Sequence, residues 1–563
     1  MADWRTLLSE LYGAARAAAV REALAARLAR TRSSWPAVGS ARGTLTARDA
    51  ILITYGDQLR QPGAPPLRVL ADFCDTHLRG IISGLHLLPF YPYSSDDGFS
   101  VIDYTAVDPA LGTWDDVARA GRHFRLMFDG VINHLSAQSA WFQAFLRDEA
   151  PYRDYFIVVD GEPDLSQVVR PRALPLLTEF DTAAGRRKVW TTFSADQIDL
   201  NYHNPAVLMD IIDVLLTYAE RGAELIRLDA IAYLWKEIGT SCIHLAQTHR
   251  VIQLLRAVLD EAAPHVLLIT ETNVPHADNV SYFGDGHNEA QLVYNFALPP
   301  LVLHALTTGD ASALTRWAAG LTLPSREVTF FNFLASHDGI GLNPARGILS
   351  DAQIDALVNR ALAHGGRVSY KHNADGSSSP YELNINYFDA LSDPNGSEPI
   401  ERPIDRFTAA HAIMLALIGV PGLYFHSLFG SRGWPEGVAR LGHNRAVNRQ
   451  KLDRAAVERD LTDGRSRRRR VFERLARLLQ ARAASPAFDP HGAQRVLSLN
   501  DRVFAVERAA GGRRALSLTN VSAEIQRVQP GAAWRHARPL AGAAAVDDDG
   551  VSLPPYHTYW MEQ

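Results

Sequence analysis

The feature that most constrains the fold is a short apolar segment that ends in charged side chains and recurs along the chain. In the clearest example, residues 223–233, the core Glu-Leu-Ile-Arg-Leu follows Arg221 and Gly222 and is typical of a buried parallel strand. Arg227 and Asp229 are two residues apart, so they project from the same side of such a strand. If that side faces the inside of a barrel, the guanidinium keeps the carboxylate ionised and holds its rotamer. The pair suits either a nucleophile or a buried ion pair without chemical consequence.

Three more apolar segments end in polar residues in the same way, at residues 128–134, 268–273 and 333–338. Together the segments carry four acids in the order Asp129, Asp229, Glu271, Asp338. In this order the chain resembles the α-amylase superfamily, glycoside hydrolase family 13, whose four signature regions lie on strands three, four, five and seven of a TIM barrel. Four motifs in order are far more specific than any one of them. The resemblance implies an α/β protein built on a TIM (β/α)8 barrel.

Strand and helix signals alternate from residue 50 onward, as such a barrel requires. We predict eight strands, near residues 50–55, 81–89, 124–132, 223–229, 265–271, 292–297, 327–335 and 419–426. The interval 133–222 is too long for a crossover helix alone and predicts an inserted subdomain. The Gly-, Ser- and Asn-rich run at 364–386 predicts a mobile loop above the barrel mouth.

These signals divide the chain into four predicted parts. Residues 1–48 form an amphipathic helical extension, and residues 49–134 with 196–487 form the catalytic barrel. Residues 135–195 form the inserted subdomain after strand three. Residues 488–563 alternate short strand patterns with Gly and Pro turns, which predicts a small C-terminal all-β domain.

Composition excludes several classes of function. Of the 563 residues 47% are hydrophobic and 21% charged, with a formal net charge of −5, so neither nucleic acid nor a membrane is an expected partner. Only two cysteines occur and no secretory signal is recognisable, which predicts a cytoplasmic protein. We find no metal-spaced Cys/His cluster, phosphate-binding Gly-rich loop or dinucleotide fingerprint, so no metal and no cofactor is expected. The sequence leaves a homodimer open.

The resemblance also assigns the chemistry. A retaining glycosidase needs a carboxylate nucleophile and a carboxylic acid that protonates the leaving oxygen, roles that fall to Asp229 and Glu271. We expect burial and the neighbouring Asp229 charge to raise the pKa of Glu271. Asp338 is expected to hydrogen-bond the sugar hydroxyls. Two histidines at motif positions, His134 and His337, are expected to contact the sugar, as is Arg227.

Residues 86–99, after predicted strand two, resemble the sucrose phosphorylase branch of the superfamily. In that branch an acid and an arginine late in the barrel, which correspond to Asp96 and Arg445, hold the 4-hydroxyl end of glucose. A charged pair there leaves room for one sugar ring, so the resemblance implies a terminal glucosyl substrate. Phe99 is expected to supply a stacking face. The sequence leaves open whether Asp96 or Asp97 points inward.

On the acceptor side of the site, two residues match the sucrose phosphorylase branch and two differ from it. Arg172, in Arg-Pro-Arg, and Tyr381 match residues that in this branch alternately hold phosphate and the leaving sugar. Asn273 and Glu382 depart from it, because sucrose phosphorylases have histidine and glutamine at these positions. Residues 226–240 and 369–384 look more like the glucosylglycerate phosphorylases of the same branch. Two cations in the run 364–386, Arg367 and Lys371, favour an anionic acceptor.

The sequence therefore predicts a retaining α-glucoside phosphorylase, a hexosyltransferase that works through a covalent glucosyl-enzyme. Its predicted substrates are 2-O-α-glucosylglycerate and inorganic phosphate, and its products are glucose 1-phosphate and glycerate. Sucrose phosphorylase and exo-acting α-glucosidase are the alternatives. A non-catalytic transporter subunit is disfavoured because Asp229, Glu271 and Asp338 are all present and no membrane span is recognisable.

Overall fold

A closed barrel of eight parallel strands forms the centre of the computed structural model, which describes residues 3–34, 43–172, 174–372 and 377–563. We number these strands β1 to β8 in chain order. They are Ile51–Thr54, Gly84–Leu87, Arg125–Gly130, Ala223–Leu228, Leu267–Thr270, Leu292–Tyr294, Thr329–Phe333 and Val420–Tyr424. Each predicted strand is found where the sequence placed it, so the TIM barrel is confirmed.

Helices cover the outside of the barrel, because both faces of each strand carry mainly apolar residues that must be buried. The helix Pro205–Glu220 shows how the sequence sets the start of a helix. Asn204 accepts a hydrogen bond from the Ala206 backbone N–H, and Pro205 occupies the first helical position. The covering helices are Pro66–His77, Trp114–Ala120, Pro205–Glu220, Ala246–Ala262, His276–Val280, Leu298–Thr308, Ser312–Ala319, Asp351–Ala363, Glu401–Ala416 and Arg467–Ala484.

Two further helices, Trp4–Tyr12 and Ala14–Ser34, lie in the predicted N-terminal extension. The Trp4 indole N–H donates to Glu261 at 2.7 Å, and the Tyr12 hydroxyl donates to the Tyr202 carbonyl at 3.0 Å. These contacts attach the first helix to the side of the barrel, and Arg27 of the second helix donates from Nε to Asp213 at 2.8 Å. Residues 35–42 of the predicted extension lie outside the described residues.

The segment between β3 and β4 leaves the barrel through a pair of short antiparallel strands, His134–Ser136 and Gln197–Asp199. Between them lie the helix Ala140–Leu146 and a hairpin of Leu177–Thr182 with Gly185–Trp190. The inserted residues therefore return to the barrel directly beside the end of β3.

The segment predicted as a loop at residues 364–386 is mostly a hairpin. Arg367–His372 pairs with Ser378–Asn384, and Ile340–Gly341 adds a third strand. The sequence predicted a loop here and not a hairpin, because the polar composition concealed the pairing of Val368 with the fully buried Leu383. The turn at residues 373–376 lies outside the described residues.

The last part of the chain is all β after Arg467–Ala484. One sheet contains Ala493–Asn500, Val503–Ala510, Arg513–Asn520, Thr558–Glu562 and Arg538–Gly542, and a second contains Gln526–Val528, Gly550–Leu553 and Ala545–Asp547. Shorter elements elsewhere are the strand pair Leu59–Arg60 with Leu452–Asp453 and the helices Tyr387–Leu391, Phe425–Leu428, Pro435–Leu441 and Arg454–Thr462. Within the described ranges, none of the helices combines the length and apolarity that a bilayer span needs.

Candidate active site

The acidic side chains that the sequence singled out meet at the carboxyl ends of the barrel strands. Asp229 and Glu271 each follow the last residue of a strand, and the two strands, β4 and β5, are neighbours. The backbone N–H of Asp229 donates to the Gly130 carbonyl and that of Glu271 to the Leu228 carbonyl, both at 3.1 Å. The barrel therefore fixes the backbones of both acids and directs their side chains into one cavity.

Arg227 lies at the centre of these acids. Its Nη1 donates to Asp229 at 2.9 Å and also to the fully buried Asp129. The opposite carboxylate oxygen of Asp129 lies 2.8 Å from His86 Nε2. The guanidinium is thus held by Asp129 and in turn orients Asp229. The Nη2 of Arg227 lies farther from Glu271, at 3.9 Å.

Asp229 and Glu271 are buried neighbours, and burial affects the ionisation of both. Burial raises the pKa of Asp229 to about 8 against the opposing charge of Arg227, and burial likewise raises the pKa of Glu271. The expectation for Glu271 agrees with this direction, whereas Arg227 alone does not hold the pKa of Asp229 low as we expected. Burial of two neighbouring carboxyls disfavours ionisation of both at once, so one of them keeps a proton. Because Arg227 is nearer to Asp229, we place that proton on Glu271.

Asp338, after β7, has the opposite electrostatic setting. Its Oδ1 lies 2.6 Å from Arg445 and 3.6 Å from Arg449, and its backbone carbonyl accepts a 2.9 Å bond from Asn448. Burial would raise the pKa of Asp338, but Arg445, His337 and Arg449 together hold it well below its usual range. Asp338 is therefore an ionised acceptor directed at the cavity.

Asp96, not Asp97, lines the cavity beside the catalytic carboxyls. Its Oδ2 lies 3.2 Å from Arg172 and its Oδ1 3.3 Å from Arg449, whereas Asp97 pairs with Arg449 at 2.7 Å. The ion pair that we expected between Asp96 and Arg445 is thus made with Arg172 and Arg449 instead. Arg445 reaches Glu382 through two hydrogen bonds of 3.1 and 2.8 Å, which holds it away from Asp96.

Phe99 and the two histidines form one wall of the cavity. The rings of Phe99 and His337 stack with centroids 4.7 Å apart and planes 5° from parallel. His134 Nε2 lies 3.0 Å from the Phe99 carbonyl, and Asn133 contacts its Nδ1 at 3.1 Å. Burial lowers the pKa of His134 to about 4 and that of His337 to about 3, so both rings are neutral near pH 7.

The cavity has an inner and an outer compartment, of about 80 and about 520 Å³. Asp229, Glu271, Asp338, Phe99, His134, His337, Arg227 and Asn273 line the inner compartment, and seven residues line both: Asp96, Pro171, Arg172, Gln197, Tyr381, Glu382 and Arg445. A narrow inner space next to a wider outer one suits a single sugar ring followed by an acceptor of varied shape.

Two predicted residues line neither compartment. Arg367 and Lys371 belong to the first strand of the hairpin, yet the residues of that strand that line the outer compartment are Ser369 and Tyr370. The register of the hairpin shifts between Ser369 and Tyr370, which interrupts the alternation of sides and turns Lys371 away. Burial and then the charge of Arg346 lower the pKa of Lys371.

Sequence reasoning missed several residues of the site. Arg449 stands four places after Arg445 in the same run, and the sequence offered no basis for choosing between them. Lys236 is buried and reaches Asp199 at 2.6 Å and Asn133 at 2.7 Å, so it supports the residue next to His134. No recognisable sequence motif connects Lys236 with Asp199 or Asn133, so the sequence could not reveal these contacts.

The comparisons with known proteins agree with this geometry. Residues 79–338 match the family model described as alpha amylase, catalytic domain. The chain is 55% identical over 480 residues to the glucosylglycerate phosphorylase of Allomeiothermus silvanus, covering 85% of this chain and 86% of that protein. It is 50% identical over 559 residues to the glucosylglycerate phosphorylase of Spirochaeta thermophila, covering 98% and 94%. The crystal structure of sucrose 6F-phosphate phosphorylase from Thermoanaerobacter thermosaccharolyticum is similar with a TM-score of 0.74 at 26% identity, covering 86% of this chain and 96% of that one.

Proposed function

The chain belongs to the alpha-amylase family, and we propose that it is a retaining glucosylglycerate phosphorylase. It converts 2-O-α-glucosylglycerate and phosphate into α-glucose 1-phosphate and glycerate. The observation that carries the proposal is Arg172, a cation that lines both compartments beside the Asp229 and Glu271 pair. An anion held there lies next to the glucosyl carbon. The 55% and 50% identity to glucosylglycerate phosphorylases supports the choice of substrate.

In the first half-reaction Glu271 donates its proton to the glycosidic oxygen, and glycerate leaves. The Asp229 carboxylate attacks the anomeric carbon and forms a β-linked glucosyl ester, with inversion. The hydrogen bond from Arg227 orients the attacking carboxylate. Asp338 accepts hydrogen bonds from the sugar hydroxyls and stabilises the positive charge that develops on the ring.

In the second half-reaction phosphate enters the outer compartment and attacks the same carbon. Glu271 now accepts the phosphate proton, the ester bond to Asp229 breaks, and the second inversion restores the α configuration. Arg172 and Tyr381 hold the phosphate, because a guanidinium matches the geometry of the oxyanion. The inner wall of Asp96, Phe99, His134 and His337 holds the glucosyl ring during both steps.

The decisive experiment incubates the protein with 2-O-α-glucosylglycerate, with and without phosphate, and quantifies glucose 1-phosphate and free glucose. We expect phosphate-dependent formation of glucose 1-phosphate with little free glucose. Equal free glucose in both reactions identifies an exo-acting α-glucosidase instead. Faster phosphorolysis of sucrose than of glucosylglycerate identifies a sucrose phosphorylase.

Two further properties, the cellular location and the oligomeric state, belong to the same proposal. We propose a cytoplasmic location, supported by two buried free cysteines, Cys74 and Cys242, and testable by fractionation of cells that express the protein. We also propose a homodimer, and light scattering coupled to size exclusion measures its mass directly. A mass of one chain at working concentration contradicts the second point.

A further inference from the structure

The turn that carries Asp96 has an unusual backbone. Asp96, Asp97 and Gly98 all have positive φ, at 51°, 49° and 111°. Only glycine adopts this region freely, so two successive aspartates there need outside contacts to hold them. Gly98 itself cannot be replaced, because a Cβ would lie 2.6 Å from the Pro89 carbonyl oxygen. The ion pairs of Asp96 fix its carboxylate and leave the backbone to be held by other residues.

A ring of serine hydroxyls around Asp196 supplies those contacts. We call Ser94, Ser95, Ser100 and Ser136 the serine collar. The Asp196 Oδ2 accepts from Ser94 at 2.5 Å, from Ser100 at 2.9 Å and from Ser95. The Ser136 hydroxyl lies 3.5 Å from Oδ1, and Ser100 also lies 2.6 Å from the Asp196 carbonyl. One carboxylate therefore holds residues on both sides of the strained turn.

The next residue along the chain holds the far end of the same turn. Gln197 donates from Nε2 to the Phe99 carbonyl at 3.1 Å, and the Asp196 carbonyl accepts from the Ala137 backbone N–H at 3.2 Å. Asp196 and Gln197 lie where the inserted segment returns to the barrel, at the start of Gln197–Asp199. The returning segment is thus hydrogen-bonded both to residues near the end of β3 and to the turn that carries Asp96.

We propose that Asp196 is a positioning residue for sugar recognition. Through the serine collar it fixes the backbone of Asp96, and the position of Asp96 decides whether an equatorial or an axial 4-hydroxyl is accepted in the inner compartment. Asp196 lines neither compartment, so any effect that it has on the sugar is indirect. The inference rests on the proposed function, in which Asp96 contacts the 4-hydroxyl end of glucose.

The test compares α-glucosyl fluoride with its 4-epimer, α-galactosyl fluoride, by release of fluoride. Fluoride leaves without acid assistance, so the assay needs the inner compartment and Asp229 and does not depend on phosphate or on glycerate. In Asp196→Asn we expect the preference in kcat/KM for the glucosyl donor to fall about tenfold, because a displaced Asp96 carboxylate no longer distinguishes an equatorial from an axial 4-hydroxyl. The KM for glucosyl fluoride rises, whereas kcat changes little.

Two controls separate positioning from general damage. Asp103→Asn removes an exposed aspartate that caps its own turn through Thr105 and contacts no collar residue, so it should leave the preference unchanged. Ser95→Ala should lower the preference in the direction of Asp196→Asn, while Ser95→Thr, which keeps the hydroxyl, should restore it. The Ser95 pair decides the question even if Asp196→Asn does not fold.

An unchanged glucose-to-galactose preference in folded Asp196→Asn overturns the proposal, as does an equal fall in kcat for both donors. A Ser95→Thr protein that behaves like Ser95→Ala also overturns it. The proposed function fails separately, if the wild-type protein forms no glucose 1-phosphate from glucosylglycerate and phosphate.

Discussion

The guanidinium of Arg227 is closer to Asp229, at 2.9 Å, than to Glu271, at 3.9 Å. Both carboxyls are buried and lie on neighbouring strands, so the protein must hold one proton between two similar groups. The unequal distances favour the proton on Glu271, whereas the Ala230 backbone N–H, which donates to Glu271 at 3.0 Å, opposes it. The ionised member becomes the nucleophile and the protonated member becomes the acid, as double displacement requires.

Replacement of the nucleophile gives the first prediction. Asp229→Asn keeps the shape and the contact with Arg227 but cannot form the glucosyl ester. We expect kcat to fall by several orders of magnitude, because the covalent route is lost. Steady-state phosphorolysis measures the loss, and an unchanged melting temperature shows that the fold is retained. Activity above one per cent of wild type would contradict the role of Asp229.

The pH dependence of the rate tests the shared proton. Below the lower pKa of the pair Asp229 is also protonated and cannot attack, and above the upper pKa Glu271 is ionised and cannot protonate the leaving oxygen. Because burial raises both pKa values, we expect a bell-shaped profile of kcat/KM that is displaced to higher pH than two ordinary carboxyls would give. His134 and His337 titrate only at about pH 4 and about pH 3, so they contribute neither limb.

Glu271→Gln separates the two limbs of that profile. The variant should lose activity on glucosylglycerate yet still release fluoride from α-glucosyl fluoride, which leaves without a proton. The alkaline limb should be absent in the fluoride assay, because no acid remains to be ionised. Equal loss on both substrates would show that Glu271 is not the acid.

The barrel and the catalytic carboxyls could be predicted from sequence because each is set by a local pattern. An apolar segment followed by an acid fixes a strand and its end, as at Asp229 and Asp338. The partners of Asp96 could not be predicted in this way, since Arg172 and Arg449 reach it from positions 76 and 353 residues away. The orientation of Lys371 depends on a register shift within the hairpin, and amino-acid composition does not reveal such a shift.

Arg449 makes a prediction about stability. Its side chain is only 1% exposed and lies among Asp96, Asp97 and Asp338. Its removal takes away the arginine partner of Asp97 and leaves Asp96 with Arg172 and Asp338 with Arg445. We expect Arg449→Ala to lower the free energy of unfolding by about 3–5 kcal/mol. Arg60→Ala is the matched control, because that side chain is 63% exposed and should change stability by less than about 0.5 kcal/mol. Urea unfolding of both variants measures the difference, and equal effects would contradict the buried network.

Arg172 makes a prediction about the choice between phosphate and water. It lines both compartments, so its loss should weaken phosphate capture more than it weakens the attack of water on the glucosyl enzyme. Arg172→Ala should therefore shift the product ratio from glucose 1-phosphate towards free glucose at fixed phosphate. Both products are quantified in the same reaction. A constant ratio would show that phosphate is held elsewhere.

We expect the same arginine to recognise the carboxylate of glycerate. In the reverse direction, glucose 1-phosphate is offered with glycerate or with glycerol, which lacks only the carboxylate, and phosphate release is measured. A charge-assisted hydrogen bond in a partly desolvated site is worth about 1.5–3 kcal/mol, so Arg172→Ala should lower the preference for glycerate about ten- to a hundredfold. Lys371→Ala removes the same charge from the hairpin, where the side chain faces neither compartment, and should leave the preference unchanged. If the preference disappears in Lys371→Ala or Arg367→Ala and survives in Arg172→Ala, the carboxylate is bound by the hairpin, as the sequence alone suggested.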